Sequence, residues 1–141
     1  SITDMSFMLS GVFVLKEIPL IDTSNVTNMN GMFLNCASLK TIPLLDTSNV
    51  TNMSNMFSYC ESLKTIPLLD TSKVTSMSYI FYDCVDLQSI PLIDTSNVTN
   101  MSGMFKGCNN LIDIDPFNFD KFDFSIIKNE QFKEKYPELF I

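Results

Sequence analysis

Residues 46–54 read DTSNVTNMS, and the same nine residues return unchanged at 94–102. Two further versions, DTSNVTNMN and DTSKVTSMS, occupy residues 22–30 and 70–78, so the motif recurs every 24 residues. A short fixed period is typical of a solenoid, in which each repeat forms one coil and buries its apolar face against its neighbours. The period therefore predicts a stacked-coil architecture.

The complete repeat combines constant apolar positions, spaced as LxxIxL, VxxM, MF and C, with variable positions between them. We expect the constant residues to face the core and the variable residues to face solvent. The LxxIxL stretch predicts a short strand in which Ile42 and Leu44 point inward. Their counterparts in the next two coils are Ile66, Leu68, Ile90 and Leu92. Stacking of the coils would pair these strands in a parallel sheet. The DTSN stretch predicts a turn. The MF segment predicts a single helical or 3₁₀ turn that Ser54, Ser78 or Ser102 would cap.

The repeat LxxIPLxDTSxVTxMSxMFxxCxxL resembles the BspA-like leucine-rich repeats of bacterial surface proteins and lipoproteins over roughly residues 5 to 117. Such repeats are about 25 residues long. The resemblance implies an α/β leucine-rich-repeat solenoid, with a parallel sheet on one face and short helical or 3₁₀ turns on the other. It also implies an extracellular location on a bacterial cell surface, with the anchor outside this chain, and adhesion to a protein or glycan of a host or neighbouring cell. The chain departs from many such repeats by carrying Leu or Ile, rather than Trp or Phe, at positions 21, 45, 69 and 93.

The repeat divides a single domain of about five coils into three parts. Residues 1–17 form a degenerate half repeat, which is either an N-terminal cap or the stump of a longer array. Residues 18–111 hold four copies of the 24-residue unit. Residues 112–141 are rich in aromatic residues and predict a C-terminal cap, with a short helix over 125–135 that Pro137 closes. The aromatic residues of this segment are Phe117, Phe119, Phe122, Phe124, Phe132, Tyr136 and Phe140.

The composition argues against several classes of function. The chain has nine lysines, sixteen acidic residues, a net charge of −7 and no Arg, His or Trp. Nucleic-acid binding needs clustered cations, and catalysis most often uses His as its general base, so we expect neither nucleic-acid binding nor an enzyme. We expect no cofactor. No apolar stretch reaches the length of about 18 residues that spans a bilayer, which predicts no direct membrane insertion by this chain.

Two columns of polar residues recur once per coil. One column predicts a buried ladder of thiols and consists of Cys36, Cys60, Cys84 and Cys108. Disulfides are one alternative, which the parallel Cβ vectors of stacked coils disfavour. A metal site is the other alternative, which the absence of His disfavours. Asp22, Asp46, Asp70 and Asp94 predict carboxylates that close turns, with calcium between coils as the alternative.

The outward residues of the strand stretch are the candidate ligand-binding residues on the expected concave face. They are Lys40, Thr41, Pro43, Lys64, Thr65, Pro67, Gln88, Ser89 and Pro91. A further aliphatic column follows these residues and consists of Ile21, Leu45, Leu69 and Ile93. It is either an exposed apolar stripe beside the candidate residues or part of the core. The core is favoured, because an exposed stripe would lower the solubility of the protein. The sequence thus predicts a non-catalytic binding module. The alternative is a structural spacer or assembly unit of a surface or phage-borne appendage, and end-to-end self-association is left open.

Overall fold

The computed structural model describes residues 2–114 and 124–140, and its repeats stack as coils of a solenoid. The stacking is clearest in the phenyl rings of Phe33, Phe57, Phe81 and Phe105. Successive ring centroids in this column lie 5.6, 5.8 and 5.8 Å apart, and the ring planes are within 7° of parallel. All four rings are buried, so one residue type at one repeat position builds a continuous core.

A regular ladder of backbone hydrogen bonds joins each coil to the next. The N–H groups of Met29, Gly31, Phe33 and Asn35 donate to carbonyls of the following coil at distances of 2.9–3.0 Å. Counterparts in the neighbouring coils repeat the same four bonds in the same direction. Isolated parallel bridges link Asp4, Asn28, Asn52, Ser76 and Asn100 along this ladder.

The MF segment consists of consecutive turns rather than a helix. In the second coil, Met32, Leu34 and Cys36 each donate an N–H to the carbonyl three residues earlier. Gly31 and Asn35 have positive φ values of 63° at the third position of the first and last of these turns, as type II turns require. Because the left-handed residues interrupt the segment every fourth position, it cannot continue as an α-helix. The prediction of a single turn was therefore closer than that of a helix. Ser54 does not cap a helix as predicted; its N–H donates to Asn52 Oδ1 at 2.9 Å in a turn of its own.

The predicted strands at LxxIxL are absent from residues 2–114 and 124–140, where only the bridge between Ser89 and Asp113 touches this stretch. Burial follows a period of three instead of two: Leu39, Ile42 and Leu45 are buried, while Leu44 is exposed. A three-residue period is that of an extended polyproline II-like segment, which Pro43 favours by fixing its own φ and restricting the residue before it. The prediction that Leu44 and its counterparts point inward is therefore wrong. Those counterparts are Leu68 and Leu92, also exposed.

Polar side chains inside the stack bond to backbone carbonyls of adjacent coils. Thr23, Thr47 and Thr71 are buried, and their hydroxyls donate to the carbonyls of Asp46, Asp70 and Asp94 at 2.6–2.7 Å. The four cysteines are buried free thiols, and each donates its S–H to a carbonyl of the preceding coil at 3.0–3.2 Å. This confirms the prediction of a thiol ladder and removes the disulfide alternative.

Burial raises the pKa of the ladder thiols, to about 12 for Cys108. The thiolate is the reactive form, so we expect the thiols to react with Ellman's reagent at least about a hundredfold more slowly in the native protein than in the urea-unfolded chain. The unfolded chain should titrate as four thiols. Fast reaction of the native protein, or fewer thiols in urea, would contradict the buried ladder.

The C-terminal segment packs on the same core as the coils. Its α-helix α1 spans Glu130–Lys135, between 3₁₀ turns at Phe124–Ile126 and Pro137–Phe140. Asn129 caps α1 through a bond from the N–H of Phe132, so the helix begins five residues later than the sequence predicted. Phe124 and Phe132 are buried in the common core, while Phe117, Phe119 and Phe122 lie outside the described residues. None of the helices in the described residues is long and apolar enough to cross a lipid bilayer.

Candidate binding surface

One face of the stack, formed by residues 16–20, 40–44, 64–68 and 88–92, carries a column of exposed leucines. We call it the proline face, because each segment contains a proline, and we call its leucine column the leucine ridge. Leu20, Leu44, Leu68 and Leu92 are 71, 63, 61 and 58% exposed. A contiguous exposed apolar column of this kind is a common mark of an interaction site.

All nine candidate residues from the sequence lie on the proline face. The lysines, the threonines and Gln88 are exposed, while Ser89 and the prolines are half-buried. Pro43, Pro67 and Pro91 lie beside the leucine ridge in sequence, so they widen its apolar surface. The face is thus polar at the Lys end of each segment and apolar at the Leu end. The threonine and serine column is linked between coils, since the Ser89 hydroxyl donates to Thr65 Oγ1 at 3.3 Å.

The exposed apolar stripe is the leucine ridge, and not the column that follows it by one residue, which the sequence analysis considered. Leu45, Leu69 and Ile93 are buried, and Ile21 is half-buried, so this column belongs to the core. The leucine ridge lies one residue earlier in each coil. The signal that could have located it is the proline at the preceding position, which changes the period of burial from two to three.

Rows of opposite charge accompany the leucine ridge. Lys16, Lys40 and Lys64 are exposed four residues before it, and Asp22, Asp46, Asp70 and Asp94 are exposed two residues after it. Asp46 Oδ1 accepts bonds from the Ser48 N–H at 3.0 Å and from the Ser48 hydroxyl at 2.6 Å. The hydroxyl bond is the main cause of the lowered pKa of the Asp46 carboxyl, because it stabilises the charged form.

The aspartate column therefore closes turns, as the sequence predicted. Each of its members accepts the N–H of the serine two residues later at 2.8–3.0 Å. Within residues 2–114 and 124–140, no cluster of three or more Cys, Asp or Glu is arranged to hold a metal ion. These carboxylates, which follow the proline face by two residues in each coil, thus have a local structural role and also add charge beside the ridge.

A second exposed patch, which the sequence reasoning missed, lies on the turn side of the coils. The rings of Tyr59 and Tyr79 each meet the ring of Tyr82 edge to face, with centroids 5.3 and 5.6 Å apart. Tyr59 and Tyr79 are 36 and 42% exposed. This patch covers only two coils, whereas the leucine ridge runs through every coil from residue 20 to residue 92, so the ridge is the stronger candidate site.

The sequence profile of the family described as Mycoplasma proteins of unknown function, DUF285, matches residues 3–117. That match takes in every coil and the whole proline face. The chain belongs to the DUF285 family. No curated protein matches this DUF285 chain.

The DUF285 fold is similar to a solved structure of a leucine-rich repeat protein from Eubacterium ventriosum. The two structures align with a TM-score of 0.54 and 23% sequence identity over 76% of this chain. The alignment covers 34% of the other protein, about a third of its length. At this identity the likeness shows the fold alone, and it supports a leucine-rich-repeat solenoid.

Proposed function

We propose that this chain is a non-catalytic binding module that recognises a protein partner through the proline face. The leucine ridge is the observation that carries the proposal, because each of its four side chains is more than half exposed, whereas Leu45, Leu69 and Ile93 of the adjacent column are buried. Repeating exposed leucines would be a solubility liability without a partner. On this view, a partner buries the ridge and the Lys and Asp rows set its orientation.

The resemblance to BspA-like surface repeats supports a more specific form of the proposal. We place the module on the outside of a bacterial cell, in adhesion to a protein of a host or neighbouring cell. A glycan partner fits the polar Lys and Thr end of the face, but the apolar ridge favours a protein, since aliphatic side chains offer no hydrogen bonds to sugar hydroxyls. The proline face offers four equivalent leucine positions, so binding would be distributed over several of them.

A ridge variant tests the proposal. We expect Leu44→Asp combined with Leu68→Asp to lower binding of the fluorescently labelled chain to epithelial-cell monolayers at least about tenfold, because charges would replace the apolar contact. The matched control is Ser38→Asp with Ser62→Asp, which adds the same charge at a position where the next coil already carries Asp86. The control should bind like the parent chain.

Treatment of the monolayers separates the classes of partner. Loss of binding after trypsin supports a protein partner, whereas loss after a glycosidase mixture, with trypsin having no effect, would replace the protein by a glycan. Equal binding of the ridge variant, its control and the parent chain, with unchanged unfolding by urea, would contradict the proposal. That result would favour the alternative of a structural spacer without a specific ligand.

A further inference from the structure

A cavity of about 420 Å³ lies where the last coil meets the C-terminal segment. The coil contributes Lys106, Gly107 and Asn109 to its lining, and the C-terminal segment contributes Ser125, Ile126 and Lys128. Asn129 ties the two sides together, because its side-chain amide donates to the Asn109 carbonyl at 2.7 Å. Cavities of about 300 to 1,000 Å³ typically hold small-molecule ligands, so this one has a suitable size for such a ligand.

Two lysines give the cavity a positive charge. Lys106 and Lys128 are exposed, and neither forms an ion pair with a carboxylate in the part of the chain that the structure describes. Lys128 Nζ donates to the Ser125 carbonyl at 3.1 Å, which uses one of its three N–H donors and leaves two. No Asp or Glu among the described residues lines the cavity. In a chain with a net charge of −7, two such lysines around one cavity favour an anionic ligand.

The backbone N–H of Gly107 adds a third donor. Its counterparts in the two preceding coils, Tyr59 and Asp83, each donate their N–H to the following coil at 2.8 Å. In the same direction, the Gly107 N–H points toward the C-terminal segment, and it finds no acceptor among the described residues. The Asp83 carboxylate also lies near Gly107, but it belongs to the preceding coil and therefore lies on the other side of this residue. Its single negative charge leaves the two lysines in excess.

From these donors we infer that the cavity binds the phosphate group of a small phosphate monoester. Such a group carries about −1.5 to −2 charges at pH 7 and three acceptor oxygens. It therefore matches two ammonium groups and the Gly107 N–H better than a carboxylate, which has one charge and two oxygens. Lysine binds phosphate as a point charge, without the planar fork of Arg, a residue that this chain lacks. Inorganic phosphate would leave much of the cavity empty, so the organic part of the ligand packs beside Ile126. The inference goes beyond the proposed function, since the cavity is separate from the proline face.

Titration of the ¹⁵N-labelled chain with phenyl phosphate tests the site. We expect saturable shifts of the Gly107 and Ser125 amide signals, and a Kd at least about tenfold lower than those of inorganic phosphate and benzoate. Benzoate keeps the ring and replaces the phosphate by a carboxylate, so it isolates the contribution of the phosphate. Lys106→Gln combined with Lys128→Gln should raise the Kd for phenyl phosphate at least about tenfold, because the variant removes both cations of the site.

The matched control is Lys40→Gln with Lys64→Gln, which removes the same charge from the proline face and should leave the Kd within about twofold of that of the parent chain. Equal weakening by the two lysine pairs, shifts that spare Gly107, or benzoate binding as tight as that of phenyl phosphate would overturn the inference. Vesicles of phosphatidic acid distinguish the sources of the phosphate. Co-sedimentation that only the Lys106 and Lys128 variant loses would identify a lipid headgroup, whereas binding of phenyl phosphate without co-sedimentation would identify a free molecule.

Discussion

Replacing Phe57 by Ala should lower the free energy of unfolding by about 3–5 kcal/mol. Phe57 lies between the rings of Phe33 and Phe81 in the buried column, with interplanar angles of 7° and 5°. Removing this ring leaves a cavity in the middle of the stack, and the coils on either side cannot close it without breaking the four backbone bonds that join them. The cost is a large share of the stability of a typical domain.

Urea unfolding followed by circular dichroism measures this change, and Phe13→Ala provides the control. Phe13 undergoes the same chemical substitution at an exposed position, so its effect should stay within about 0.5 kcal/mol. The loss of unfolding free energy for Phe57→Leu should lie between those for Phe57→Ala and Phe13→Ala, because the first coil already carries Leu9 at this repeat position. Equal costs for Phe57→Ala and Phe13→Ala would show that the ring column does not hold the coils together.

The core of the coils could be predicted because its residues keep one phase through every repeat. Val50, Met53 and Phe57 occupy constant positions, and a constant apolar residue in a stacked array has nowhere to be buried except against its own counterparts. The Asp turn was predictable for a related reason. Asp46 and Ser48 are two residues apart, and a short acidic side chain bonds its own backbone at that distance whatever lies around it.

The leucine ridge was predicted on the wrong side because the period of the segment was misjudged. A stretch such as Leu39–Leu45 fits alternation and a three-residue period almost equally well, since both bury Ile42. They differ at Leu44 and Leu45, and only the backbone preference of Pro43 separates them. If the backbone preference of Pro43 decides the period, the sequence predicts that Leu44 is exposed and Leu45 is buried.

The position of the hydrogen-bond ladder could not be predicted from the sequence, for a different reason. Met56, Phe57 and Cys60 have a spacing that a helix also produces. What excludes the helix is the left-handed conformation of Asn55 and Tyr59, with φ values of 58° and 61°. Asn adopts this conformation readily, but Tyr does so only when its surroundings impose it. The imposing contacts come from neighbouring coils, so the signal is tertiary.

The left-handed positions also allow a test in which two glycines differ only in their neighbours. Gly11 and Gly107 occupy the same repeat position with φ values of 79° and 83°. A Cβ added to Gly11 meets nothing within 4 Å, whereas one added to Gly107 would lie 1.9 Å from Asp83 Oδ1 and 3.0 Å from Asp83 Cα. The carboxylate can rotate away, but the backbone atom cannot.

Gly107→Ala should therefore cost more free energy of unfolding than Gly11→Ala. We expect about 1–2 kcal/mol for Gly11→Ala, from the left-handed backbone alone, and a total of about 2–4 kcal/mol for Gly107→Ala, measured by urea unfolding. Adding Asp83→Gly should recover part of the excess, because it removes the Oδ1 clash and leaves only the backbone contact. The single Asp83→Gly variant is measured as well, since Asp83 has a φ of 56° and Gly relieves that backbone strain by itself. Equal costs at the two glycines would mean that the coils separate enough to admit the methyl group, and the tight spacing of the solenoid at this position would then be wrong.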